Sequence, residues 1–155
     1  MGCAKASLKV PGLASEAEAL WYDPVRWAAW VDGFGHVVDL PAGWPARGRL
    51  VWNSVPEGRG RVVETVESYE PRAGQTLAVE DGRLRGVQRV GFVPGPDEVT
   101  IELELEYELK ERHPLTWLVD AVYVRREIAA SLRRTLFRFA RERRADTELE
   151  ALVSR

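Results

Sequence analysis

The stretch from Glu98 to Lys110 constrains the fold more than any other part of the chain. Ile101, Leu103, Leu105, Tyr107 and Leu109 alternate with Glu102, Glu104, Glu106 and Glu108. A period of two with one apolar and one charged set predicts an antiparallel strand, dry on one face and wet on the other. The segment before it, Arg83 to Val93, carries the matching charges. A turn at Pro94-Gly95-Pro96 that sets Val93 opposite Glu98 places Arg89 against Glu102, Arg85 against Glu106 and Arg83 against Glu108 on the wet face. It places Leu84 against Tyr107, Gly86 against Leu105, Gln88 against Leu103 and Val90 against Ile101 on the dry face. A slip of one residue would bury carboxylates, so the pattern specifies which face is which. Upstream, Asp81-Gly82 predicts a two-residue type I′ hairpin with Val79 opposite Leu84 and Leu77 opposite Gly86.

Turn residues divide the rest of the chain. Strands are expected at Ala4–Val10, Gly35–Leu40, Arg49–Val55, Arg61–Tyr69 and Thr76–Glu80, ahead of the two just described. Ser15 with Glu18 reads as a capping box for a short helix from Glu16 to Tyr22. Asp23-Pro24 reads as an N-cap followed by the first position of a second helix, running to Val31, with Trp27 and Trp30 on one face. Pro114 opens a long helix over about 114–145, and Asp146 is a candidate cap for a separate last turn in a tail of 146–155. Leu118, Ala121, Val122, Ile128, Leu132, Leu136 and Phe139 recur on this helix at 3.6-residue spacing. The expected class is α+β: a seven-stranded curved antiparallel sheet wrapped around a long C-terminal helix, with two short helices between strands one and two. One helix fills a concave sheet incompletely, which leaves an apolar cavity between them.

Composition narrows the functional classes. A chain of 155 residues is expected to be a single domain, 1–155, with a core that needs no staples. One cysteine, Cys3, excludes an internal disulfide, and two histidines, His36 and His113, argue against a metal centre, so no metal and no cofactor are expected. The net charge of −2 argues against a generic nucleic-acid binder. There is no apolar run of membrane-spanning length and no signal-peptide core, so a cytoplasmic protein without stable membrane insertion is the expectation. Gly2-Cys3 lacks the Ser or Thr at position 6 that acylation wants; Ala6 stands there. No feature of the sequence fixes the oligomeric state, monomer or homodimer.

The order strand, two short helices, six strands, long helix resembles the START-like (SRPBCC, helix-grip) superfamily. The local match is to the bacterial polyketide cyclase/dehydrase-type lipid-transport family. It rests on Tyr22-Asp23-Pro24-Val25-Arg26-Trp27-Ala28-Ala29-Trp30-Val31, Val66-Glu67-Ser68-Tyr69-Glu70-Pro71 and Ser131-Leu132-Arg133-Arg134-Thr135-Leu136. The resemblance implies an internal cavity that takes a hydrophobic or aromatic small molecule. It implies no particular catalytic residue.

On the residues themselves, Trp52, Leu77, Val79, Gln88, Val90, Leu103, Leu105 and Tyr107 from the sheet are expected to line the cavity. Ala121, Ile128 and Leu132 close it from the helix, and Tyr69 joins the lining if strand four has the right phase. That phase is ambiguous. Val62 and Val66 define one inward set, with Glu64, while Val63 and Tyr69 define the other, with Glu67; an inward glutamate is a candidate general base. Gln88 on the dry face needs a partner, whether water, Tyr107, a loop or a ligand. Gly86 beside it either leaves room or marks a bulge. Trp27 and Trp30 either gate an entrance or anchor the small helices. Trp44 belongs at the cavity mouth or in solvent, His36 lies within reach of that mouth, and His113 is an end-cap position before Pro114. Gly58-Arg59-Gly60 lacks the strand–loop–helix context of a phosphate loop, and no G-x-S-x-G elbow is present. Arg125, Arg126, Arg133, Arg134, Arg138, Arg141, Arg143 and Arg144 make the last helix basic, either a solvated face or a surface for an acidic partner or anionic membrane; Arg125 is also a candidate to hold a ligand carboxylate. Three readings follow: binding or transport of a hydrophobic or aromatic small molecule, a polyketide cyclase/dehydratase-type enzyme using the same cavity, or an interaction module acting through the basic helix.

Overall fold

A computed structural model describes residues 1–111 and 117–155. In chain order the elements are β1 (Gly2–Pro11), α1 (Ala14–Trp21), a 3-10 turn (Pro24–Arg26), α2 (Trp27–Trp30), β2 (Phe34–Asp39), β3 (Arg49–Ser54), β4 (Arg61–Glu70), β5 (Gly74–Glu80), β6 (Leu84–Pro94), β7 (Glu98–Leu109) and α3 (Trp117–Val153). The strands form one antiparallel sheet in the order β1-β7-β6-β5-β4-β3-β2. The first strand closes onto the last, so β7, the strand with the strictest alternation, is paired on both sides. Ile101, Leu103, Leu105 and Tyr107 of its apolar set are buried, and Leu109 at its end is half-buried. On its outer face Lys5 meets Glu104 at 2.9 Å, and Arg89 meets Glu104 at 3.2 Å and Glu106 at 3.3 Å.

Both hairpins are offset from the expected pairing by two residues. Arg89 lies opposite Glu104, Val90 opposite Leu103, Gln88 opposite Leu105 and Gly86 opposite Tyr107. The reason is the turn: β6 extends to Pro94, opposite Val99, and the Gly95 N–H closes on the Glu98 carbonyl at 2.7 Å. In the preceding hairpin Val79 lies opposite Gly86 and Leu77 opposite Gln88. The turn is displaced there: the Asp81 N–H donates to the Leu84 carbonyl at 2.9 Å and the Asp81 carboxylate accepts the Arg83 and Leu84 N–H groups at 2.7 and 3.0 Å, so the chain reverses at Gly82-Arg83 rather than at Asp81-Gly82. An offset of two keeps every side chain on its expected face. Gly86 sits in regular pairing and is no bulge; a Cβ there would stand 2.0 Å from the Glu106 carbonyl oxygen, so glycine lets the strands approach.

The phase of β4 changes partway along. Val62 and Glu64 are buried and Val66 half-buried, then the register with β5 shifts between Val66 and Ser68. The extra residue is Glu67, which is exposed, and past this bulge Tyr69 turns inward against Tyr22. The two inward sets, alternatives on sequence, are therefore joined: Glu64 and Tyr69 share the inner face.

The helices differ from expectation at their ends. α1 is capped at Leu13, whose N–H donates to Glu16 Oε1 at 2.9 Å; Ser15 lies inside the helix, and Glu18 instead accepts the Arg72 N–H at 2.6 Å. Asp23 caps as read, accepting from Val25 N–H at 3.2 Å, but the segment splits into the 3-10 turn and α2 rather than one helix to Val31. The expected start of the long helix, with His113 and Pro114, lies outside the described residues, as does the side chain of Leu118. α3 continues unbroken past Asp146, because that carboxylate is held by Arg26 at 2.7 and 2.9 Å instead of capping a turn. Leu132, Leu136, Phe139 and Ala140 are its buried stripe; Ala121 and Ile128 are half-buried, and Val122 faces solvent. Arg143, assigned on sequence to the basic face, is instead buried, within 3.6 Å of Glu16 and 3.9 Å of Asp146. Arg134 and Arg138 pair with Asp32, while Arg126, Arg133, Arg141 and Arg144 face solvent.

Candidate functional site

Between the sheet and the middle of α3 lies a cavity of about 70 Å³. That is room for about five waters, or for one end of a small molecule. The strands from β3 to β7 contribute Trp52, Glu64, Gln75 and Leu77, Gln88, and Leu103 in turn. Leu132, Ser131 and Thr135 close it from α3, and Trp21, Trp27 and Trp30 wall it from the short helices. Trp44 and Arg59 reach it from loops. A larger hollow, about 950 Å³, is an open groove on the outer face among Lys5, Arg89, Glu102 and Glu104, where Lys5 and Arg89 both pair with Glu104.

Of the residues expected at the cavity, Trp52, Leu77, Gln88, Leu103 and Leu132 border it. Val79, Val90, Leu105 and Tyr107 are buried in the core beyond it, and Tyr69, Ala121 and Ile128 are half-buried outside it. Tyr107 packs under Gly2, which has no Cβ to exclude the ring, and burial raises its phenol pKa. His36 is exposed on β2, 3.4 Å from the Asn53 amide and away from the cavity. Arg125 is exposed. Trp27 and Trp30 are anchors as well as walls: both are buried, Trp27 donates to the Trp21 carbonyl at 2.8 Å, and Trp30 packs edge-on against Phe139 at 5.0 Å. Trp44 is half-buried at the mouth, donating to the Tyr22 carbonyl at 3.0 Å.

Trp21, Gln75, Arg59 and Asp32, all at the cavity, escaped the sequence reading; the Gln75 amide donates to the Pro45 carbonyl at 2.8 Å. Trp21 carries no signal separating it from any helical apolar residue. Arg59 looks like a loop residue between two glycines, yet its Nε donates to the buried Asp81 at 2.7 Å and its guanidinium lies 5.7 Å from the Trp52 ring centroid. Asp32 follows α2 and gathers four side chains. Its carboxylate accepts from Ser131 at 2.7 Å, Arg134 at 3.0 and 3.1 Å and Arg138 at 3.1 Å, while its N–H donates to Thr135 at 3.0 Å.

The electrostatics follow from burial. Glu64 is buried, which drives its carboxyl pKa upward; the hydrogen bond from Trp52 Nε1 at 3.2 Å and the Arg59 charge oppose this without cancelling it. Asp32 goes the other way. Burial pushes its carboxyl up, but the hydrogen bonds from Arg134 and Ser131 and the charge of Arg138 outweigh burial and hold it below its ordinary range. Asp32→Ala is expected to cost about 1–2 kcal/mol at neutral pH by urea denaturation, since it releases α3 from the end of α2. A lowered carboxylate pKa stabilises the fold above the ordinary value of 3.8 and ceases to do so as pH falls. The gap between variant and parent should therefore close in acid. Trp30 Nε1 and Arg59 Nη2 are buried without a partner among the described residues.

A curved antiparallel sheet gripping one long helix over an internal cavity defines the helix-grip, START-like class of protein. The family described as polyketide cyclase / dehydrase and lipid transport matches residues 1–142, and the chain belongs to that family. Solved structures agree on the fold. TTHA0849 from Thermus thermophilus is 18% identical, with a TM-score of 0.77 over 94% of this chain and 99% of that one. A START superfamily protein from Mycobacterium smegmatis is 17% identical, with a TM-score of 0.61 over 84% and 93%. A norcoclaurine synthase point mutant from Thalictrum flavum, in complex with a transition state analogue, is 15% identical, with a TM-score of 0.68 over 94% and 96%. Comparison with curated proteins gives no match. No helix among the described residues is long and apolar enough to cross a membrane, and no group of three or more His, Cys, Asp or Glu among them could hold a metal ion.

Proposed function

We propose that this protein, read as one START-like unit, binds a small hydrophobic or aromatic molecule between its sheet and α3. The observation that carries this reading is a buried space walled by five tryptophans, with polar atoms left unpartnered in residues that face it. Flat indole walls suit a flat apolar ligand, and a few convergent polar groups set its orientation. The family and the fold of its relatives support the same reading. The space takes one end of such a molecule, and the remainder extends past Trp44 toward the mouth. The test is native mass spectrometry of protein purified gently from its own cells, beside a Leu132→Trp variant that fills the cavity from α3. A stoichiometric apolar adduct on the parent, lost from a folded variant, is the expected result. An empty parent, with the variant equally stable and equally functional, would defeat the reading.

A second reading, a cyclase/dehydrase-type enzyme, is favoured by one observation: Glu64 presents a buried carboxyl with a raised pKa to the cavity, as a general acid or base requires. Under that reading Glu64→Gln retains ligand and loses turnover.

A further inference from the structure

Five tryptophans around a buried acid suggest at first a cage for an ammonium ion. The hydrogen bonds argue against it. The carboxylates of Asp32, Asp81 and Glu64 each already accept hydrogen bonds. Asp32 accepts from Ser131, Arg134 and Arg138, and Asp81 accepts from Arg59 and from two backbone N–H groups. Glu64 accepts from Trp52. The cation–π position over Trp52 is taken by Arg59. The atoms left buried without a partner in the residues that line this space are donors. Arg59 Nη2 and Trp30 Nε1 are both donors, both buried and both without a partner among the described residues, and both residues line the same 70 Å³. Buried orphan donors are rare and costly, about 1–3 kcal/mol each, so two in one small void point to a group that satisfies them when bound.

We propose that Arg59 and Trp30 form a two-donor site for an uncharged oxygen acceptor, a carbonyl oxygen above all, at one end of the bound molecule. The proposal rests on the cavity-binding reading above and adds to it the chemistry of the ligand's polar end. Arg59 is balanced by Asp81, so the site is close to neutral when Glu64 is protonated, and a neutral oxygen enters without uncovering a charge. The Glu64 hydroxyl and the Gln88 amide supply further contacts. An ammonium group would bring more donors to a site that already has a surplus.

Three probes of nearly equal shape separate the possibilities: acetophenone, α-methylstyrene, in which a methylene replaces the carbonyl oxygen, and 1-phenylethylammonium. Affinities are read from the indole N–H resonances in proton–nitrogen correlation spectra. Acetophenone is expected to bind at least about tenfold more tightly than α-methylstyrene, with the Trp30 indole resonance moving downfield. Arg59→Met should bring the two affinities together. Arg59→Lys, which keeps the charge beside Asp81 but lacks Nη2, should do the same if the methionine variant folds poorly. Equal affinities in the parent, tighter binding of the ammonium, or a carbonyl preference that survives both variants would overturn the two-donor site alone. Failure of all three probes to bind would overturn the cavity reading, and this site with it.

Discussion

Phe139→Ala should be the most damaging single truncation in the molecule, at about 3–5 kcal/mol by urea or thermal denaturation. Phe139 is fully buried on α3. Its ring meets Trp21 edge-on at 5.2 Å and Trp30 at 5.0 Å, and these two indoles lie 4.7 Å apart. Trp21 ends α1 and Trp30 ends α2, so this one side chain ties both short helices to the long one. Each aromatic contact adds about 0.5–1.5 kcal/mol beyond the buried area. The surrounding indoles are large and mutually braced, so the site cannot collapse around alanine, and a cavity term adds to the lost burial. Because Trp21 and Trp30 also wall the ligand cavity, the variant should bind bulkier probes as it loses stability. Phe137→Ala is the internal control. That ring is 63% exposed two positions earlier, and its loss should change stability by no more than about 0.5 kcal/mol. A Phe139→Ala loss under about 1.5 kcal/mol would mean that the tryptophans repack and that α3 is held elsewhere.

Sequence alternation encodes parity, and parity is what it delivered. The β7 pattern gave the correct face to every residue of β6 and β7, yet both flanking hairpins sit two residues from the expected pairing. Two residues is the displacement to which a period of two is blind. The deciding forces are local to the turns and partly long-range: Asp81 shapes its loop while also pairing with Arg59, 22 residues earlier. The bulge at Glu67 has the same character. A single extra residue reconciles two inward sets that a regular strand makes exclusive, and no periodicity marks where it falls. The candidate site was half legible for this reason. Trp52, Leu77, Gln88, Leu103 and Leu132 follow from face and spacing. Arg59, Asp32 and the choice of Glu64 over Glu67 follow from partners distant in the chain. Asp146 fails to end α3 because Arg26, 120 positions away, takes its carboxylate.

Glu64→Gln should stabilise the protein, and by an amount that depends on pH. The buried carboxyl of Glu64 has its pKa raised above the ordinary 4.5, chiefly because burial penalises the charged form. In the unfolded chain the same group ionises near its ordinary value. Between the two, the native state holds a proton that the unfolded state has released, so parent stability falls as pH rises above 4.5 toward the native pKa and is level beyond it. Glutamine does not titrate, and its carbonyl oxygen can still accept from Trp52 Nε1. Parent and variant should therefore be nearly equal at about pH 4, and by about pH 8 the variant should be ahead by on the order of 2 kcal/mol, the scale of forcing a charge into a poorly solvated site. The measurement is urea denaturation of both proteins at intervals across that range. If the variant is instead the less stable at the alkaline end, Arg59 holds an ionised Glu64 as a net favourable pair, and the site is charged rather than neutral when empty. That result would bear directly on the ligand, since a carboxylate fixed beside Arg59 competes with any incoming oxygen. A stabilising result carries the opposite meaning: the protein retains a buried acid at a cost to its own stability, as expected where the group serves the bound molecule rather than the fold.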